Sequence, residues 1–281
     1  MSLAGIEWFA GFVALGFAIG AFGTLIGAGG GFVLMPVLLL IYPREPPEHL
    51  TAISLAVVFC NALSGSIAYA RMGRIDWRSG LMFAAAATPG AVIGALNTSY
   101  LSRWQFNLVF SVVLIGVAVA MALRPELHRN PRKPGRLKRF EVRRHLVEAD
   151  GTCLDWTFRP WVGVVLSFFM GYFSSFLGIG GGIIHVPALV WLLNFPVHIA
   201  TATSHFILAI MALSGTLVHW QMGSLSHGLS LTLALAGGVL LGAQIGAFFS
   251  NRVQAPWIIR SLALALGLVG VRILVATFHW G

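Results

Sequence analysis

The sequence predicts an all-α polytopic membrane protein built from two related halves, and three observations carry that reading. The 281 residues are 57% hydrophobic and only 10% charged, against roughly 25% charged in soluble domains. Seven or eight apolar stretches near 20 residues, joined by short turns, use up most of the length. A glycine run also occurs twice: Gly27-Ala28-Gly29-Gly30-Gly31, with Pro36 after it, returns as Gly178-Ile179-Gly180-Gly181-Gly182, with Pro187 after it.

The first span runs over 8–28, long enough to cross a hydrocarbon core of about 30 Å. The N-terminus lacks a basic segment and a small-residue cleavage site, so this stretch reads as a first span and not a removed signal. After the glycines, 32–42 is long enough for only half a crossing. Pro43-Arg44-Glu45-Pro46-Pro47-Glu48 ends any helix, because prolines remove donors and restrict their predecessors. Spans follow at 50–70, 79–98 and 104–123. The second half repeats the plan, with a span at 161–177, a short apolar piece at 183–195, and spans at 199–220, 228–250 and 257–277.

Further matches keep the repeat in register: Leu63-Ser64-Gly65-Ser66 with Leu213-Ser214-Gly215-Thr216, Arg71-Met72-Gly73 with Gln221-Met222-Gly223, and Gly90/Gly94 with Gly242/Gly246. The chain therefore divides into a transmembrane repeat at 1–123, a basic loop at 124–160 and a second repeat at 161–281. If each glycine segment turns back, the halves are inverted; if it passes straight through, they are parallel. Charge favours inversion, since the turn at 71–78 holds Arg71, Arg74 and Arg78 while its counterpart at 221–227 holds no Lys or Arg.

Net charge is +9, but no nucleic-acid partner is implied. Ten of the 18 Lys and Arg fall between Arg124 and Arg159, as expected of a loop held in the cytoplasm and drawn to anionic lipid head groups. Trp156 and Phe158 suit a segment lying along the membrane surface. Cys60 and Cys153 imply neither a disulfide framework nor a zinc site.

Helix-interior glycine costs about 1 kcal/mol relative to alanine, so the runs need a reason. A helix that stops at the glycines and restarts after them would point its first amides at a polar site in the bilayer, beside the hydroxyls of Thr24, Ser174 and Ser175. Gly29, Gly30, Gly31, Gly180, Gly181 and Gly182 are thus expected to form a site, whereas Gly90, Gly94, Gly242 and Gly246 are expected to serve close helix packing. Pro36 and Pro187 are expected to begin or kink the short helices.

With their register, a G-x-G-G-G run, a proline five residues later, and a Ser/Thr patch after the next loop (Thr201-Ala202-Thr203-Ser204, weaker in Thr51-Ala52-Ile53-Ser54) resemble the sulfite exporter TauE/SafE family of permeases. The likeness covers 8–123 and 161–277 and leaves the basic loop unmatched. It implies a cell-membrane permease for sulfite, a sulfonate or another sulfur-containing anion. Ser54, Thr203 and Ser204 then join the substrate-binding set. Ile53 stands where the second half has Thr203, so the half-sites are expected to be unequal.

No Asp or Glu lies inside a predicted span. Cation carriers and carboxylate relays keep such an acid despite its cost of a few kcal/mol, so amides, hydroxyls and histidines suit an anion. Asn61, Ser64 and Gln244 are neutral polar groups within spans and either bond between helices or line the path. His205 follows the Thr-Ser patch and, with His185, could couple transport to protons; a structural histidine is the plainer reading. No metal or cofactor is implied.

Other function classes fit less well. No phosphate-binding G-x-x-x-x-G-K-[ST] run supports an ATP-driven pump, and no Gly-x-Ser-x-Gly or His-Glu-x-x-His supports an intramembrane enzyme. A passive anion channel shares every feature of the carrier except coupling.

Overall fold

The computed structural model describes residues 3–123, 140–250 and 255–279. It has ten α-helices and one β-hairpin: α1 (Leu3–Ile26), α2 (Gly31–Ile41), α3 (Pro47–Arg71), α4 (Trp77–Thr98), α5 (Arg103–Leu123), β1 (Val142–Val147), β2 (Cys153–Phe158), α6 (Pro160–Leu177), α7 (Gly182–Leu193), α8 (Val197–Gln221), α9 (Leu229–Phe249) and α10 (Ala255–His279). Among the described residues, seven of these helices are long and apolar enough to cross a membrane, and α2 and α7 are not. The chain is a multi-pass membrane protein.

Local chemistry sets the boundaries. Proline opens α3 and α6, where its missing donor costs nothing. The Asp76 side chain caps α4 by accepting from the Ser79 amide at 3.2 Å. The end of α7 turns on Asn194 in the left-handed region. The carbonyls ending α2 are met by Arg103, which donates to Leu39 at 3.2 Å and also to Glu45. Pro36 and Pro187 do not begin their helices, as the sequence allowed; they sit inside α2 and α7, which start on Gly31 and Gly182.

Packing fixes the directions. Gly16 and Gly20 of α1 lie against Leu235 and Val239 of α9, and Gly242 and Gly246 lie against Phe17 and Ala21, so α1 and α9 run parallel. In the same way Gly90 and Gly94 of α4 lie against Phe168, Tyr172 and Phe176 of α6, again parallel. These glycines let backbones approach closely, which is the packing role expected of Gly90, Gly94, Gly242 and Gly246. On the central axis, Gly65 of α3 meets His205 of α8 while Gly215 of α8 meets Leu55 of α3, so these two helices are antiparallel. Because α3 also runs with α9, bonded to it through Ser64 to the Leu240 carbonyl (2.8 Å) and lying at its other end by Gly228, α1 and α3 point the same way. The short α2 must bring the chain back between them, and α7 does likewise between α6 and α8.

The basic loop differs from expectation. Arg124 to Arg139 lie outside the described residues, but 142–158 form an antiparallel hairpin pairing Val142 with Phe158. The hairpin docks on the helices: Trp156 and Phe158 are buried against Phe195, with ring centroids 5.2 and 5.1 Å away, and Phe158 also meets Phe83. Arg74, after α3, donates to Glu148 at 2.7 Å in a pair buried on both sides, and the Ala149 amide donates to the Met72 carbonyl at 3.0 Å. The hairpin therefore touches the α3–α4 turn of one half and the α7 end of the other.

Candidate substrate site

Each glycine run folds as a tight turn ending one helix and starting the next. Gly30 (φ 80°) and Gly181 (φ 57°) occupy the left-handed region just before α2 and α7, which a side chain would strain. The turns meet: a β-carbon on Gly31 would stand 2.5 Å from the Ile179 carbonyl oxygen, and one on Gly182 would stand 2.7 Å from both the Gly27 oxygen and the Ala28 α-carbon. Gly29 and Gly180 face the same pair, Val58 of α3 and Leu208 of α8. Two broken helices thus touch tip to tip at the middle of the bundle.

Val33 and Leu34 donate to the Gly30 carbonyl, and Ile184 and His185 to the Gly181 carbonyl. The amides of Gly31, Phe32 and Ile183 have no acceptor among the described residues. These are the orphan donors of a helix start, carrying its positive dipole end. Their counterpart at the other polarity is absent: Glu7, Glu45, Glu48, Asp76, Glu141, Glu148, Asp150 and Asp155 all lie at helix ends or in the hairpin region, and Glu126 is outside the described residues.

Side chains complete the first turn. Thr24, two residues before the end of α1, donates to Asn61 of α3 at 3.1 Å. His205 Nε2 lies 3.3 Å from the Thr24 hydroxyl, and the Tyr69 hydroxyl donates to the Thr24 carbonyl at 2.8 Å. Tyr69 stands edge-on to His205 at 5.6 Å. All four groups are buried, and the Asn61 amide nitrogen has no partner.

The second turn is built differently. Ser174 and Ser175 of α6 are buried, and neither hydroxyl has a hydrogen-bond partner. Ser174 lies beside Gly181 and Ser175 beside Gly215. Where His205 faces Gly65 in the first half, Leu55 faces Gly215 in the second, so the two glycine turns have different surroundings.

Other predicted residues are engaged in structure. Ser54 donates to the Gly178 carbonyl at 2.6 Å, ending α6. Thr203 accepts from the Asp76 amide at 3.1 Å, away from the glycine turns. His185 lies between Ser167 (3.3 Å) and Ser204 (3.5 Å), a buried triad on α6, α7 and α8. Gln244 donates to the Ser64 carbonyl at 2.8 Å and to its hydroxyl at 2.9 Å, joining α9 to α3. These two act as the interhelical bond that was the plainer reading. No group of three metal-ligating side chains occurs among the described residues.

Sequence reasoning passed over Tyr69. An aromatic in a span reads as packing, and its hydroxyl becomes conspicuous only when the repeat is aligned, which sets it opposite His219. That histidine is also buried, with both ring nitrogens lacking partners.

Comparison with known proteins covers nearly the whole chain. A family model described as sulfite exporter TauE/SafE matches residues 12–273. The chain is similar to the probable membrane transporter protein YunE of Bacillus subtilis, 28% identical over 269 residues that cover 93% of this chain and 96% of that one. A probable membrane transporter protein of Xylella fastidiosa is 26% identical over 95% of this chain and 92% of its own length. One from Methanocaldococcus jannaschii is 22% identical over 94% of both. No solved structure matches.

Proposed function

The chain belongs to the sulfite exporter TauE/SafE family, and from that premise we propose that this membrane transporter is a secondary permease for a small sulfur-containing oxyanion such as sulfite or an organosulfonate. The observation that carries the reading is the meeting of the two glycine turns, where the free amides of Gly31, Phe32 and Ile183 share the core with Asn61, Ser174 and Ser175 and no described carboxylate accompanies them. Backbone and hydroxyl donors at helix starts stabilise an oxyanion without a buried fixed cation. An acid at this depth would repel it.

The antiparallel pairing of α3 with α8, and the exchange that sets α1 on α9 and α6 on α4, suit two inverted repeats rocking about the turns. His205 is the residue we assign to proton coupling, because it bonds Thr24 at the first turn and its charge would draw the anion there. The arginine-rich turn at 71–78 and the basic loop then face the cytoplasm of a cell membrane.

The test is uptake into proteoliposomes of labelled sulfite, sulfate, thiosulfate, a short sulfonate and acetate, with and without a pH gradient. Selective, gradient-driven flux of a sulfur oxyanion is expected, and His205→Gln should keep flux while losing its dependence on the gradient. Flux indifferent to the gradient in the unmodified protein would make it a channel. Absence of flux for every anion from folded protein would remove the sulfur-anion assignment.

A further inference from the structure

A second candidate site lies outside the glycine turns, beneath the hairpin. The described residues contain a cavity of about 420 Å³ between β1 and the start of α4, lined by Asp76, Trp77, Arg78, Arg143, Arg144 and His145 among others. Its size falls in the range of small-ligand sites. Three arginines face one lining carboxylate, so it favours a negative charge. Arg144 lies 3.5 Å from Asp76 and donates to the Ser79 hydroxyl at 3.2 Å. Arg143 has only a loose, exposed pairing with Asp155 at 3.7 Å, of little energetic weight. Arg78 makes no ion pair among the described residues.

Two further observations narrow the ligand. Asp76 is buried, 6% exposed, and its Oδ2 is the oxygen 3.5 Å from Arg144 Nε, so the one lining carboxylate is already paired and leaves Arg78 and Arg143 to an occupant. An occupant must therefore bring an anionic group for these two arginines. Trp77 is half exposed where α4 begins, packed edge-on to Phe206 at 4.9 Å. Exposed tryptophan at the end of a span marks the head-group level of a bilayer, so the cavity opens where lipid phosphates are.

We infer that this cavity binds the head group of an anionic phospholipid, with Arg78 and Arg143 on its phosphate. Arginine suits phosphate through its paired donors. The lipid would tie the hairpin to α4. This site is independent of the transport reading.

The test uses the full chain, delipidated in detergent, with thermal unfolding followed during titration. Short-chain phosphatidylglycerol should raise the unfolding midpoint. Phosphatidylcholine of the same chain length and inorganic phosphate should not. The double variant Arg78→Gln/Arg143→Gln should unfold at the wild-type midpoint without lipid and bind phosphatidylglycerol about tenfold or more weakly, as expected for lost hydrogen bonds to a charged group. Equal effects of phosphatidylcholine would overturn the anion requirement. An equal effect of inorganic phosphate would overturn the lipid, and wild-type binding by the variant would overturn the site.

Discussion

Replacing Gly31 or Gly182 by alanine tests whether contact between the glycine turns matters. Both residues begin a helix with ordinary backbone angles, so alanine there carries no left-handed strain, and intrinsic helix preference alone would favour it by up to about 1 kcal/mol. The added methyl, however, would meet backbone of the opposite turn at 2.5 to 2.7 Å, and backbone cannot swing aside as a flexible side chain can. The turns must part by roughly 1 Å to reach ordinary van der Waals contact. Overpacking of this kind costs about 1–3 kcal/mol, leaving a net loss of up to about 2 kcal/mol. Transport should suffer more, since a misplacement of about 1 Å can cost on the order of a hundredfold in rate. Gly116→Ala, where a β-carbon finds nothing within 4 Å, is the control for helix preference. The assay is proteoliposome uptake beside thermal unfolding in detergent. If Gly31→Ala and Gly182→Ala both transport at wild-type rates and unfold no earlier than Gly116→Ala, the tip-to-tip contact is neither tight nor functional.

Other variants probe the surrounding structure. Glu148→Ala strands the Arg74 guanidinium, buried and paired at 2.7 Å, and should destabilise by about 3–5 kcal/mol, most of it recovered in Arg74→Met/Glu148→Leu; denaturant unfolding of these two variants beside the wild type measures this. Tyr69→Phe removes one hydrogen bond, but the Thr24 carbonyl still accepts from the Gly27 amide, so the loss should be about 1 kcal/mol in the same assay. In the hairpin turn, the backbone amide of Thr152 holds the Asp150 carboxyl below its usual range. Its folded pKa lies below its unfolded one, so the stabilisation is present above the ordinary aspartate range and fades as pH falls through the depressed value. Following the hairpin amides by hydrogen exchange against pH should show protection lost on the acid side, and Asp150→Asn should flatten that dependence.

The membrane spans were legible in the sequence because bilayer thickness sets their length and Pro and Gly break them; Pro47 marks where α3 begins, whereas the Asp76 cap that starts α4 at Trp77 was not read. The glycine breaks and Thr24, Ser174 and Ser175 were legible too, as polar or costly residues in apolar surroundings. Partner choice was not. Nothing local to Ser54 tells that its hydroxyl ends α6, and nothing local to Thr203 tells that it serves the cap of α4, since both partners lie more than a hundred residues away. The hairpin was hidden for another reason: in Val142–Val147 basic residues dominate the composition, and β1 alternates only between half-buried and exposed positions. Its one deeply buried anchor pair, Trp156 and Phe158, reads equally well as membrane-surface aromatics.

The exchange of α1 onto α9 and of α6 onto α4 bears on how the protein is made. During synthesis, the small-residue face of α1, including Gly16 and Gly20, has no partner until α9 emerges more than two hundred residues later. Until then that face is turned to lipid, which offers it no close-packed neighbour. The face of α4 that carries Gly90 and Gly94 waits a shorter time for α6. Assembly therefore has to finish after insertion, and each half depends on the other to complete its own broken helix. A truncated chain ending before α9 would present an unclosed glycine seam, the kind of surface that membrane quality control can read.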